Sequence, residues 1–128
     1  MAYLTRHVVD ITTDANGDAT AYTAEPVNGF IQAIRYVADG TSPYDNTADF
    51  TITTEASAQA VLTATNVAAS ASYYPRAATA SVANAAALYA GGGASVNDVI
   101  PVAGERIKII VAQGGNVKLG RFHVYVGG

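Results

Sequence analysis

Turn signals punctuate this chain at roughly 8 to 12-residue intervals, the spacing of short strands in a sandwich or barrel. Asp14-Ala15-Asn16-Gly17-Asp18, the loop from Asp39-Gly40 to Asn46-Thr47, Ala56-Ser57-Ala58, Ala103-Gly104 and Gln113-Gly114-Gly115-Asn116 all supply residues that tolerate tight or left-handed backbone. The stretches between them are rich in β-branched and aromatic residues. Strand-helix-strand alternation is missing, which argues against a parallel nucleotide-binding sheet. The pattern predicts one all-β domain over residues 1–128, an antiparallel β-sandwich of about seven to eight short strands with one long Ala/Gly-rich loop or arm. A chain of 128 residues can bury roughly two-thirds of its unfolded surface, enough for one core.

The clearest predicted hairpin joins 106–112 to 117–126. In the first arm Ile107, Ile109 and Val111 alternate with Arg106, Lys108 and Ala112, and the Gly-Gly pair suits a tight turn. In the second arm apolar parity starts odd at Val117 and Leu119 and becomes even at Phe122, Val124 and Val126, which predicts a β-bulge at Gly120-Arg121. Residues 3–12 and 20–24 form a second expected hairpin across Asn16-Gly17. Residues 30–38 are apolar on both faces, as in a central strand. Strands are also expected at 49–55, where Phe50 and Ile52 sit among threonines, and at 61–65. Ala103-Gly104 is expected to turn the chain into the last hairpin. Residues 66–97 lack a clear period. Within them 82–90 suits a short helix stopped by Gly91-Gly92-Gly93, or an extended arm. A segment of this length is expected to project and touch a neighbouring copy.

Charged residues are only 13% of the chain, and the net charge is −3. That balance is too mild for a nucleic-acid binder. Residues 1–104 carry Arg6, Arg35 and Arg76 against nine acidic groups, while 105–128 carry Arg106, Lys108, Lys118 and Arg121 against Glu105. The last hairpin thus reads as a basic ribbon on an acidic body, suited to an acidic partner surface or to shielding an edge strand. Cysteine is absent, which rules out disulfides and thiolate chemistry. No stretch reaches the roughly 18 apolar residues of a membrane span, and the opening Met-Ala-Tyr-Leu-Thr-Arg-His has no signal-peptide run. Assembly in a cytoplasm is the expectation, with no membrane partner.

Chemistry-bearing motifs are sparse, and the chain is read as no enzyme. Asp14, Asn16 and Asp18 match the opening oxygens of a calcium loop, but the glycine comes one place early and no closing glutamate follows. His7 and His123 flank the two ends of the chain; if their strands pair, the imidazoles and Asp10 could form a metal or acid–base site, although a lone strand histidine is far commoner. No catalytic residue, metal or cofactor is therefore assigned. Tyr73-Tyr74-Pro75-Arg76 and Arg121-Phe122 with Tyr125 could stack bases. With eight Tyr and no Trp, an interface role is preferred.

Taken together, Val8-Val9-Asp10-Ile11-Thr12-Thr13-Asp14, Ile34-Arg35-Tyr36-Val37, Asp49-Phe50-Thr51-Ile52-Thr53-Thr54-Glu55, Tyr73-Tyr74-Pro75-Arg76 and the run from Arg106 to Asn116 resemble small virion structural proteins of tailed bacteriophages. The resemblance implies a capsid decoration (cement) protein on the virion surface. It would act as a homo-oligomer, expected to be a trimer, that binds the major capsid protein lattice. The interface expected from this reading comprises Ala2, Tyr3, Leu4 and Arg6, with Tyr73, Tyr74 and Arg76, and the ribbon of Arg106, Lys108, Lys118 and Arg121. A head–tail connector or tail component is the alternative within the particle. A host-surface or carbohydrate-binding module, using the Tyr44-Asp45-Asn46 loop, is the alternative outside it.

Overall fold

Every second residue of the long strands is buried, and that alternation sets two layers. The computed structural model describes residues 4–79, 88 and 97–128. These hold eleven strands: β1 (Leu4–Thr12), β2 (Ala19–Tyr22), β3 (Val27–Ala38), β4 (Asp49–Thr54), β5 (Ala60–Ala64), β6 (Ala71–Tyr73), β7 (Ala77–Ala78), β8 (Asn97–Asp98), β9 (Ile100–Glu105), β10 (Ile107–Ala112) and β11 (Leu119–Gly127). Sheet A runs β1-β11-β3-β6, with β9 also on β3; sheet B runs β2-β10-β4-β5; β7 and β8 form a two-stranded ribbon. Every pairing is antiparallel. The fold is the all-β sandwich that the turn spacing predicts. It has more strands than expected because β6, β7 and β8 are only two or three residues long. The possible helix at 82–90 and the Gly91–Gly93 run lie outside the described residues, Leu88 excepted.

The largest departure concerns the two expected hairpins. β10 lies in sheet B between β2 and β4, whereas β11 lies in sheet A between β1 and β3. The 113–118 connection is therefore an arch that carries the chain across the core. The apolar faces explain why. Ile107, Ile109 and Val111 need cover, and so do Phe122, Val124 and Val126; all six are buried. Side by side in one hairpin, both rows would still require a second sheet. Face to face, each covers the other. Gln113, Gly115 and Val117 take positive φ values of 57°, 93° and 51° to make the crossing. β1 and β2 also fall in different sheets, so Asn16-Gly17 turns an arch rather than a hairpin.

Three smaller expectations change as well. The register from Leu4↔Gly127 to Thr12↔Leu119 is unbroken, so no bulge sits at Gly120-Arg121. Val117 belongs to the arch and Leu119 faces outward, so the inward parity of β11 is even throughout. The bulge lies instead on β3, where Tyr125 pairs with Ala33 and Val126 with Ile31. Gln32 is the extra residue, and it lets Ile31 and Ile34 both reach the core. Ala103-Gly104 is part of β9 rather than a turn; the chain changes sheet at Arg106. The β4–β5 hairpin forms around Ala56–Ala58 as expected, with β3 central between β11 on one side and β6 and β9 on the other.

Gly120 is needed for space. A Cβ there would lie 2.5 Å from the Tyr44 ring. That ring is buried, stacks on Tyr36 at 5.7 Å and packs edge-on to Phe50 at 6.0 Å. Its hydroxyl donates to the Ile11 carbonyl at 2.8 Å, and burial raises its pKa far above the ordinary tyrosine value. Tyr44 is thus a core residue and not part of an exposed glycan-binding loop. We expect Gly120→Ala to cost about 1–3 kcal/mol by overpacking, and Tyr44→Phe about 1 kcal/mol for the lost hydrogen bond. Urea midpoints of the two variants check the order.

Candidate docking surface

The outward residues of sheet A come together in rows fixed by the strand register. Leu4, Gly127, Phe30 and Pro101 form one row; Arg6, Tyr125 and Ala33 the next; then Val8, His123, Arg35 and Ser72; then Asp10, Arg121 and Val37; and last Thr12 with Leu119. Cross-strand neighbours in such rows stand about 4.5–5.5 Å apart between Cβ atoms, so these side chains make one continuous surface. Leu4, Val8, Phe30 and Leu119 are between 38% and 64% exposed. Leu4 and Phe30 stand in the first row, Val8 in the third and Leu119 in the fifth, so large apolar groups recur along the face among the charged ones. Arg6, Arg35 and Arg121 against Asp10 give this face +2 (three minus one), on a chain whose net charge is −3.

The outer face of sheet B differs. Thr20, Ile110, Thr51 and Thr63 form one row, and Tyr22, Lys108, Thr53 and Ala60 another. Its side chains are mostly polar or small, apart from the partly exposed Ile110 and from Tyr22, which lies 4.5 Å below the Arg106 guanidinium.

His123 sits at the centre of the sheet A face, between Val8 and Arg35 and 6.3 Å from the stacked Tyr125 ring. Its Nδ1 is the only buried side-chain nitrogen or oxygen without a hydrogen-bond partner among the described residues. Burial lowers its pKa, and Arg6, Arg121 and Arg35 add to the effect, opposed by Asp10. The expected approach of His7 to His123 fails on parity. β1 and β11 do pair, but His7 faces Val124 while His123 faces Val8, so the imidazoles lie on opposite faces.

Beside the Asp10–Arg121 ion pair, 2.6 Å between Oδ1 and Nε, lies a groove of about 370 Å³ that also includes Val37, Asp39, Gly40 and Leu119. The Asp39 carboxylate is already occupied by the Thr41 and Ser42 N–H groups, and those bonds lower its pKa. Asp14 is likewise engaged by its own turn, accepting from the Asn16 and Asp18 N–H groups. Among the described residues no three His, Asp or Glu side chains cluster closely enough to hold a metal.

The structure scatters much of the interface expected from sequence. Ala2 and Tyr3 lie outside the described residues. Leu4, Arg6 and Arg121 are on the sheet A face. Tyr73 points inward and packs against the core, whereas Tyr74 is exposed. Arg76 donates to the Gln32 and Pro75 carbonyls. Arg106, at the crossing between β9 and β10, is paired with Glu55; Lys108 is on sheet B, and Lys118 lies in the arch between sheets. The basic ribbon therefore does not exist as one strip, because its two arms are in different layers. Sequence reasoning missed Val8, Phe30, Leu119, Arg35 and His123 as members of one face. The even-number alternation of Leu4, Arg6, Val8, Asp10 and Thr12 was the available signal for part of it.

No family model matches the chain, and no curated protein matches it. A solved structure described as "Crystal Structure of FLHE" is similar over 98% of this chain and 96% of its own, at 11% identity and a TM-score of 0.47. A likeness at that level carries no argument about function.

The depressed His123 pKa predicts a pH dependence. Above its ordinary value of 6.5 the ring is neutral folded and unfolded, and stability is unaffected. As pH falls through 6.5 the unfolded chain takes up the proton more readily, so stability is lost until the folded value is passed. Melting temperatures from pH 7.5 to 5 should fall more for the native chain than for His123→Gln; parallel curves would refute this.

Proposed function

We propose that the chain is a structural protein of a tailed-phage particle, a decoration or cement protein on the virion surface whose sheet A face seats on the assembled major capsid lattice. The observation that supports this reading is the concentration of exposed Leu4, Val8, Phe30 and Leu119 with three arginines on that face, opposite a threonine-rich sheet B. The sequence resemblance supports it independently. The mechanism is area and complementarity. Apolar contact supplies affinity, while the local positive charge orients encounter with an acidic surface. A protein that binds the assembled shell better than free subunits stabilises the shell by mass action.

Co-sedimentation of the purified chain with undecorated shells tests this. The native chain should pellet with shells and raise their melting temperature. Phe30→Asp and Arg35→Glu, both exposed, should each weaken binding roughly 10-fold or more, as interface anchors do. Lys108→Glu on sheet B should bind like the native chain. Loss of binding on changing Lys108 but not Phe30 or Arg35 would move the docking surface to sheet B. A native chain that ignores shells would end the decoration reading.

A further inference from the structure

Among the described residues β1 is an edge strand with one side open. It pairs with β11 through nine consecutive registers, and no other strand among the described residues pairs with it. One residue beyond, the Thr13 N–H donates to the Lys118 carbonyl at 2.9 Å. In an antiparallel ladder the backbone direction alternates, so odd-numbered residues point their N–H and C=O groups at β11. Leu4, Arg6, Val8, Asp10 and Thr12 point theirs at the open side. The strand contains no proline or bulge, two devices with which proteins blunt such an edge, and the charges it does carry, Arg6 and Asp10, are of opposite sign and so do not repel a second copy.

Its charges indicate what covers it. Arg6 and Asp10 stand two residues to either side of Val8. We propose that the open edge of β1 pairs with β1 of a second copy, antiparallel about a two-fold axis at Val8, so that Arg6 of each chain faces Asp10 of the other. Centring the axis on His7 would set Arg6 against Val8 and Leu4 against Asp10. Centring it on Val9 would set Arg6 against Thr12 and Asp10 against Val8. Only the Val8 register matches both charges and places Leu4 against Thr12 at the ends. It also brings together the residues whose backbone groups are unpaired, so the ladder is completed across the axis. Asp10 already accepts from Arg121, and a carboxylate has lone pairs for a second donor. The contact is isologous and closes as a dimer, unlike the trimer that the resemblance implies. Because the axis runs perpendicular to the sheet, the two outer faces of sheet A join on one side.

Sedimentation of the full-length chain tests the pairing. The native protein should be a dimer. Arg6→Asp and Asp10→Arg should each weaken self-association roughly tenfold, because two attractive cross-strand pairs become repulsive. Mixing the two variants should restore association as a heterodimer, since each then meets its complement; circular dichroism of each variant checks its fold. The chain has no cysteine, so introduced thiols report register directly. Val8→Cys should cross-link to a covalent dimer on mild oxidation, as hydrogen-bonded antiparallel pairs stand about 5.5 Å apart between Cα atoms, within disulfide reach. Leu4→Cys and Thr12→Cys should cross-link only when mixed. A monomer, a trimer, charge variants that associate like the native chain, or cross-links in another register would overturn the proposal. So would a Val8→Cys thiol that cross-links to shell subunits rather than to its own kind, since the edge would then belong to a foreign strand.

Discussion

Three buried threonine hydroxyls hold the corners on which this sandwich depends. Thr13, Thr23 and Thr54 are the buried polar side chains of the described residues, and each stands where the chain leaves a strand. The Thr13 hydroxyl donates to the Gly115 carbonyl at 2.7 Å and accepts from the Lys118 N–H at 2.8 Å, which locks the β1–β2 arch to the β10–β11 arch. The Thr23 hydroxyl donates to the Glu25 carbonyl and accepts from the Ile107 N–H, which fixes the end of β2 against the crossing at Arg106. The Thr54 hydroxyl pairs with Ser57 and accepts from the Gln59 N–H at the β4–β5 turn. Strands that change sheet leave backbone groups without ladder partners, and burial makes each unpaired group costly. A hydroxyl both donates and accepts, so Thr13 and Thr23 each serve two backbone groups at a change of sheet, and Thr54 serves one backbone group and Ser57 within sheet B, without burying charge.

The two arches meet through hydroxyls and close glycine packing, whereas at the crossing between β9 and β10 the Glu105 carboxylate ties the sheets together, accepting from the Ala56 and Ser57 N–H groups and the Ser57 hydroxyl. At the first corner the Gly114 N–H donates to the Gly17 carbonyl at 2.8 Å. A Cβ on Gly17 would stand 2.7 Å from the Gly115 nitrogen, so the two arches approach as closely as backbones can. The ion pairs found, Arg106–Glu55 and Arg121–Asp10, lie at the surface, where such pairs contribute little.

How much of this was legible in the sequence follows from the range of each interaction. Alternation and turn residues are local, so the all-β class, the β4–β5 hairpin and the central β3 could be read. A turn looks the same whether its arms lie side by side or face each other across a core. Ile107–Ala112 and Phe122–Val126 pair differently from the expected hairpin because β2, β4, β1 and β3 occupy their edges, and no local signal carries that. Gln32 was invisible as a bulge because the 30–38 stretch is apolar on both faces. Gly120 stands out in the sequence at a slip of parity, but what it supplies is space for Tyr44, which lies far away in a segment that reads as loop. The candidate surface suffered most. Summing charge along the last 24 residues joined Arg106 and Lys108 to Lys118 and Arg121, although the fold separates them. Arg35 and His123 become neighbours only through the β3–β11 register.

The two outer faces then divide the work of the surface. A strand pair exposes about half its side chains whatever the protein does, so the informative quantity is what each exposed face carries. Sheet B shows water mostly threonine and short aliphatics, at no cost in desolvated charge. Sheet A keeps leucine, valine and phenylalanine beside arginines and holds His123 half-desolvated among them. A buried imidazole nitrogen without a partner is destabilising in the isolated chain. In the docking role proposed above, contact with the partner surface would supply the donor or acceptor that this nitrogen lacks. A single face of this size gives modest affinity, because area alone does not set binding strength. Repetition over a lattice changes that arithmetic, since linked sites bind together far more tightly than each does alone. In the decoration role proposed above, low charge, hydroxyl-bonded arches and one face of mixed apolar and basic residues would serve together: a layer that binds through no single strong site and gains its hold from many copies.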